Sequence, residues 1–279
     1  MSPSASLLLL LLLGLSQAQP FQEDEGQDAE MAEDEETEVD MTTQILSTNN
    51  ATEEFLLEGD LVAPVTRNAM KGWYNSCLWK KASNGKVVIA YTRAPGAAGC
   101  RPLVYTINSQ FSGYERQTIE GVMRAFGRTC VRFTPRRNQN DYISIVNKGG
   151  CYSALGRQGG RQELSLNRAG CIYGGIIQHE LNHALGFQHE QTRSDRDSYV
   201  RINWMNIIQQ NAYNFHKHDT NNLNTPYDYS SIMHYGRFAF SVGRGRETIT
   251  PIGNPNARIG QRNGLSRWDI SRINMLYGC

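Results

Sequence analysis

The chain has 279 residues and a formal net charge of +1. That length allows one or two domains with a real hydrophobic core. No segment after residue 18 is apolar enough to cross a membrane, which excludes a membrane span in the main body of the chain.

The N-terminal segment, residues 1–18, contains seven consecutive leucines at Leu7–Leu13 and ends in Ser16-Gln17-Ala18. The apolar run is too short for a membrane span, and small residues follow it as at a signal-peptidase site. We therefore predict a secretory signal that is cut after Ala18. The alternative is an uncleaved N-terminal anchor.

The average charge conceals a division of the chain into two parts. Residues 19–67 contain 15 Asp and Glu and one basic residue, whereas residues 68–279 contain 27 Lys and Arg and 12 Asp and Glu. The stretch Glu23–Asp40 combines few large apolar residues with strong self-repulsion, so we expect it to be disordered. The acidic part is either a solubilising tail or a prosegment removed on activation.

Residues 68–279 show no internal repeat and no linker, so we treat them as one domain. Strands are predicted where β-branched and aromatic residues cluster, and helices where apolar residues recur at helical spacing. The predicted strands are Lys86–Thr92, Asp141–Asn147 and Glu163–Asn167, and the predicted helices are Tyr114–Cys130, Gly174–Gly186 and Ser266–Gly278. Strands come first and helices later, without β-α-β alternation, which indicates an α+β fold.

All six cysteines lie in the basic part, and an even number behind a secretory signal indicates three disulfides. Six cysteines allow 15 pairings, and the spacing alone does not choose among them. No C-x-x-C pair is present, which argues against a cysteine zinc site. The signal and the disulfides also argue against a nucleic-acid partner.

The segment "HELNHALGFQHE" places His179 and His183 four residues apart, on one face of the predicted helix. Gly186 can end that helix in a left-handed conformation and reverse the chain. His189 can then approach the same point from another direction. Three neutral histidines that converge in this way bind zinc and leave one coordination position open, as in catalytic zinc sites.

Glu180 follows the first histidine and can act as a general base without being a ligand. It would take a proton from a zinc-activated water and pass it to the leaving amine, which hydrolyses a peptide bond. The alternative is an amphipathic helix with incidental histidines. The complete H-E-x-x-H-x-x-G-x-x-H pattern is the metzincin signature, which requires a downstream Met-turn, and "SIMHYG" provides one at Met233. Tyr235 would then lie near the metal.

With "HELNHALGFQHEQTRSDRD" and "YDYSSIMHYG", residues 68–279 resemble the astacin family of metzincin zinc endopeptidases. Within that family, "NAMKGWYNSCLWKKASNG", "GCYSALGR" and "TNNLNTPYDY" are similar to the fish hatching enzymes of the choriolysin type. The resemblance implies a metzincin-like fold of two subdomains. A twisted N-terminal β-sheet and the active-site helix would form one, and a mostly irregular C-terminal part the other. The sheet would offer an edge strand to an extended substrate.

The resemblance also implies individual roles. His179, His183 and His189 would bind one zinc ion per chain, Glu180 would be the base, and Tyr235 would be a further ligand that swings away to stabilise the oxyanion. The family's disulfides correspond to Cys130–Cys279 and Cys151–Cys171. Cys77 and Cys100 are left over and would form the third.

The family's propeptides carry a motif like F-x-G-D, whose aspartate takes the position of the catalytic water. "LEGD" matches it with Leu57 in place of Phe, so Asp60 would hold the zinc site closed. The alternative is a solvated acidic turn. A trypsin-like cut after Arg67 would release residues 19–67, and the new amino group of Asn68 could pair with Glu190.

The resulting expectation is a secreted, monomeric zinc endopeptidase stored as a zymogen in secretory granules. Its substrates would be egg-envelope glycoproteins at hatching. Hatching enzymes usually carry a second cysteine near the N-terminus, where this chain has Gly72. The alternatives are therefore a six-cysteine astacin of another tissue with another extracellular substrate, or a non-catalytic secreted binding protein.

Overall fold

The computed structural model describes residues 40–62, 78–79 and 101–278, apart from the side chains of residues 101–102. All of these residues belong to one compact unit. The helices are α1 Met41–Asn49, α2 Gly113–Ala125, α3 Gly174–Leu185 and α4 Arg267–Tyr277. The strands are β1 Leu56–Leu57, β2 Leu61–Val62, β3 Arg101–Ile107, β4 Val131–Pro135, β5 Tyr142–Val146, β6 Cys151–Ser153, β7 Arg161–Leu166, β8 Val200–Ile202 and β9 Ile249–Pro251.

Seven of these strands form one mixed sheet in the order β1-β2-β6-β7-β5-β3-β4. Strand β3 pairs in parallel with β4 and β5, and helix α2 connects β3 to β4. That connection is a β-α-β unit, so the expectation of no β-α-β alternation was wrong in this detail. The fold is nevertheless α+β, because antiparallel pairs at β1–β2 and β6–β7 complete the sheet.

The helices begin and end where the sequence carries capping residues. Ser112 and Ser266 form capping boxes with Glu115 and Asp269, and α4 ends at Gly278 in a left-handed conformation. Helix α2 ends before the predicted limit of residue 130, because the chain continues from Phe126 as a 3₁₀ turn. The predicted strand 86–92 lies outside the described residues.

Helix α3 lies in the middle of the protein, and all of its residues from Gly175 to Leu185 are buried. Its apolar residues pack with those of the sheet, α2 and α4 in one hydrophobic core. A second core, with Phe215, Tyr235 and Ile249, lies in the largely irregular region between α3 and α4. The two cores correspond to the two expected subdomains, except that the C-terminal helix α4 packs in the first core.

Two cysteine predictions fall on described residues. Cys151 and Cys171 form a disulfide that ties β6 to the start of α3. Cys130 is also disulfide-bonded, while its expected partner Cys279 lies outside the described residues. The same is true of Cys77 and Cys100, so their pairing stays a prediction.

The acidic segment contributes elements that the sequence analysis did not predict. Helix α1 is capped at its N-terminus by Asp40, whose carboxylate accepts a hydrogen bond from the backbone N–H of Thr42. Asp40 is the only described residue of the stretch expected to be disordered, and there it caps a helix. Strand β2 then extends the sheet, where Leu61 pairs with Ser153 of β6. The acidic segment therefore occupies one edge of the sheet, next to β6.

Candidate metal centre

Helix α3 and the turn that follows it direct the three histidines towards one point. His179 and His183 lie on the same face of the helix, and Gly186 ends it with a φ of 106°. This left-handed conformation suits glycine, because a Cβ there is strained. The chain then turns, and His189 precedes a short 3₁₀ turn on the other side of the site.

The three imidazoles meet a fourth group, the carboxylate of Asp60. The Nε2 atom of His179 lies 3.2 Å from that of His183 and 3.2 Å from that of His189. Asp60 Oδ2 lies 2.9 Å from Nε2 of His179 and 3.3 Å from Nε2 of His189, and Oδ1 lies 3.3 Å from Nε2 of His183. All four side chains are buried.

This donor set fits a zinc ion. Ligands about 2.0–2.1 Å from a tetrahedral zinc are about 3.3 Å from one another, close to the separations in this cluster. Three imidazole nitrogens and one carboxylate are also ligands that zinc prefers. Burial raises the pKa of Asp60, but the electrostatic and hydrogen-bonding effects of the surrounding imidazoles outweigh burial and hold that pKa well below its usual value. The carboxylate is therefore anionic and able to act as a ligand.

Each histidine is oriented by a partner at its other ring nitrogen. Nδ1 of His179 donates to the carbonyl of Ile232 at 2.8 Å, and Nδ1 of His183 donates to the carbonyl of Phe187 at 2.7 Å. Such partners fix the tautomer, so that the Nε2 lone pairs face the metal position. For His189 the partner is a carboxylate oxygen of Glu58, at 2.7 Å.

Glu180 is completely buried, and neither of its carboxylate oxygens has a hydrogen-bond partner among the described residues. Burial, followed by the negative charge of Asp60, raises the pKa of Glu180 well above its usual value. A buried carboxylate that is left unpaired beside a metal site is a candidate proton acceptor.

Tyr235 lies next to His189, and Met233 lies next to the following residue, Glu190. The Tyr235 ring is 4.6 Å from the His189 ring, and its hydroxyl donates a hydrogen bond to the backbone carbonyl of Glu58. Met233 is buried, and its carbonyl accepts a hydrogen bond from the N–H of Glu190 at 3.0 Å. The turn that holds Met233 is thereby joined to the residue after the third histidine.

Glu190 has partners that the sequence analysis missed. Its carboxylate accepts two hydrogen bonds from Arg272, at 2.6 and 2.9 Å, and one from Arg193 at 3.2 Å. These cations offset the cost of burying its charge. The expected cleavage site at Arg67 and the expected partner Asn68 lie outside the described residues, so that docking stays a prediction.

Glu58, His218 and Arg262 were also missed. Glu58 contacts His218 Nε2 at 2.6 Å as well as His189. Arg262 is buried and donates to the carbonyl of His234 at 2.9 Å. Burial lowers the pKa of its guanidinium, although Asp40 and Asp60 act in the opposite direction. The one signal for these residues in the sequence was the position of Glu58 inside "LEGD".

Comparison with known proteins identifies the family. Residues 99–278 match the family model described as Astacin, a peptidase family. The chain belongs to the astacin family. It is 65% identical to High choriolytic enzyme 2 of Oryzias latipes, across 100% of this chain and 99% of that protein. It is 49% identical to the Low choriolytic enzyme of the same fish, across 99% and 98% of the two chains.

A solved astacin structure has the same fold. High choriolytic enzyme 1, a hatching enzyme zinc-protease from Oryzias latipes, superposes with a TM-score of 0.68 at 68% identity. The match covers 76% of this chain and 100% of that one. The chain is therefore an astacin zinc metalloendopeptidase related to hatching enzymes, with a site for one metal ion. No helix in the described part of the chain has the length and apolarity that a bilayer span requires.

Proposed function

We propose that this astacin is a secreted hatching protease, made as a zymogen whose own propeptide closes the zinc site. The observation that carries the proposal is the carboxylate of Asp60, which lies within 3.3 Å of all three histidine Nε2 atoms. A carboxylate at this position excludes water and substrate from the metal. The chain's identity of 65% to a choriolytic enzyme supports an egg-envelope substrate.

The proposed roles follow from what each side chain contacts. His179, His183 and His189 hold the ion through Nε2, and their Nδ1 partners keep those nitrogens aimed at it. When bound, zinc supplies a Lewis acid that makes water nucleophilic near neutral pH and polarises the scissile carbonyl. Glu180 takes the proton of the attacking water and gives it to the leaving amine.

Tyr235 has a second role in this proposal. In the latent chain its hydroxyl is held by the Glu58 carbonyl. Once the propeptide leaves, that hydroxyl is free to donate a hydrogen bond to the oxygen of the scissile carbonyl, where negative charge develops. Met233 supports the site from the adjacent turn and takes no part in the chemistry.

Activation is proposed to follow cleavage after Arg67, which separates residues 19–67 from the catalytic domain 68–279. A trypsin-like protease fits this basic residue. The new amino group of Asn68 would join Arg272, Arg193 and the Asp228 N–H around Glu190, where Oε2 accepts one hydrogen bond and can take a further donor. The signal at residues 1–18 would direct the protein to secretory granules, from which it is released as a monomer.

The test is hydrolysis of isolated egg envelopes and of casein by the full chain before and after trypsin treatment. We expect activity only after cleavage, with loss on chelation and in Glu180→Ala. Glu163→Ala is a matched control, because Glu163 lies in a surface ion pair with Lys148 and Arg161. Equal hydrolysis by the wild type, Glu180→Ala and the chelated enzyme would refute the mechanism. Hydrolysis of casein but not of envelopes would refute the hatching role alone.

A further inference from the structure

Beside the metal centre, three hydrogen-bond donors converge on one carboxylate, that of Glu58. Oε2 lies 2.7 Å from Nδ1 of His189 and 3.3 Å from its backbone N–H, and Oε1 lies 2.6 Å from Nε2 of His218. The Glu58 side chain is buried. Each carboxylate oxygen thus has at least one donor, which is the arrangement of a built anion site.

All three donors belong to the catalytic domain, whereas Glu58 belongs to the propeptide. The donors are also held together without Glu58, through Thr192. The Thr192 hydroxyl donates to the carbonyl of His189 at 2.8 Å, and the Thr192 carbonyl accepts the N–H of His218 at 2.8 Å. The backbone segments that carry the donors are therefore tied together by contacts within the catalytic domain.

Metal binding through Nε2 fixes Nδ1 of His189 as a hydrogen-bond donor. Nδ1 of His189 must carry the proton when Nε2 binds a metal, because a neutral imidazole has one N–H. Nδ1 of the other two histidines donates to carbonyls of the catalytic domain, those of Ile232 and Phe187. Of the three histidines of the zinc motif, only His189 loses its Nδ1 acceptor when the propeptide leaves.

We propose that these donors form a subsite for an acidic side chain of the protein substrate, which Glu58 fills in the latent chain. The His218 side chain is 19% exposed with Glu58 in place, so the site already reaches solvent on that side. A substrate carboxylate in the cleft would take both imidazole N–H groups in place of Glu58. His218 is then a specificity-determining residue of the endopeptidase. The inference rests on the proposed removal of the propeptide.

The subsite favours a carboxylate over its amide for a physical reason. A carboxylate offers acceptors on both oxygens, whereas an amide offers one oxygen and turns its NH₂ group towards a donor. Hydrogen bonds to charged groups are also stronger than neutral ones. We expect the loss of one such bond to change the specificity constant by about tenfold.

The experiment uses the trypsin-activated full chain and pairs of C-terminally amidated peptides that differ by Glu or Gln at one position. Amidation removes the terminal carboxylate, so only side chains are compared. We expect the wild type to favour Glu at one position by about tenfold in kcat/KM, chiefly through KM. In His218→Ala this ratio falls to about one, and His218→Lys, which restores a hydrogen-bond donor, recovers part of it.

His216→Ala is the matched control, because His216 is an exposed histidine two residues away. It should keep the wild-type ratio. A ratio in His218→Ala equal to that of the wild type, or no preference for Glu at any position, would overturn the subsite while leaving the proposed function intact. Failure of the activated wild type to cleave any of the peptides would instead count against the proposed function.

Discussion

Asp60 Oδ2 lies 2.9 Å from the Nε2 atom of His179, although 119 residues separate the two in sequence. The contact joins the proposed propeptide to the first histidine of the zinc motif. It places a carboxylate where an open coordination position is needed for catalysis. The same short acidic segment also binds His189 and His218 through the Glu58 carboxylate, and Tyr235 through the Glu58 carbonyl.

Replacing Glu180 by Gln should remove hydrolysis without removing the site. An amide keeps the size of the side chain but cannot accept the proton of the attacking water. We expect kcat of the activated chain to fall by about 10²–10⁴-fold, with bound zinc unchanged. Steady-state peptide hydrolysis and metal analysis measure the two quantities. A variant that keeps more than about half of the wild-type kcat would show that another group is the base.

Gly186→Ala should destabilise the end of α3. Space exists for a methyl group, since the nearest atoms lie 4.0 Å from a Cβ built there, so the cost comes from the positive φ alone. We expect a loss of about 1–2 kcal/mol in the free energy of unfolding. Gly113→Ala is the control, because its Cβ meets nothing within 4 Å and its φ is not positive. Denaturant unfolding of both variants gives the comparison, and equal stability would contradict the requirement for glycine at position 186.

Glu58 and His218 should be energetically coupled in the uncleaved chain. Their contact at 2.6 Å is largely buried, so each single substitution leaves a partner without its hydrogen bond. In a double-mutant cycle with Glu58→Gln and His218→Ala, we expect a coupling of about 1–3 kcal/mol from thermal or denaturant unfolding. Glu53→Gln, at an exposed propeptide carboxylate, should show no coupling to His218→Ala. Strict additivity of Glu58→Gln and His218→Ala would show that the contact is absent in solution.

His234 should make the folded chain sensitive to acid. Burial lowers its pKa from 6.5 to about 3, even though Nδ1 donates to the carbonyl of Tyr235. Between these values the unfolded chain binds a proton that the folded chain does not, so the free energy of unfolding falls as the pH falls through this window. The total effect is at most about 5 kcal/mol.

The variant His234→Asn tests this pH dependence. Asn can still donate to the Tyr235 carbonyl but does not titrate. Unfolding of both proteins is followed by denaturant from neutral pH to about pH 4, and the variant should lose less stability over that range. Parallel curves for the two proteins would mean that other groups set the acid sensitivity.

The sequence predicted the elements whose signals are local. The helix with His179 and His183 has apolar periodicity and a glycine stop, and the observed α3 ends one residue before the predicted limit. The capping residue Ser266 and the stop at Gly278 located α4 equally well. Helix α1 was missed, because it lies in an acidic segment and is fixed by contacts such as that of Asn49 with Cys151.

Part of the candidate site was predictable because its signals are also local. The rest was missed because it depends on contacts between distant parts of the chain. The spacing of the histidines, Glu180 and Gly186 is visible in one short stretch of sequence. His218 has no motif of its own, and it enters the site because the chain returns there 160 residues after Glu58. The buried cations Arg262 and Arg272 likewise act through contacts that only tertiary structure creates.

The latent state can be tested most directly in an uncleavable full chain, Arg67→Ala, by comparing it with the double variant Arg67→Ala/Asp60→Ala. We predict that the first binds zinc and hydrolyses no peptide, whereas the second binds zinc and is active at least about tenfold above it, because its fourth coordination position is open. The control double variant Arg67→Ala/Glu53→Gln should hydrolyse no peptide. Peptide hydrolysis by the intact Asp60-containing chain, or silence of the zinc-loaded and folded Asp60→Ala chain, would contradict the account.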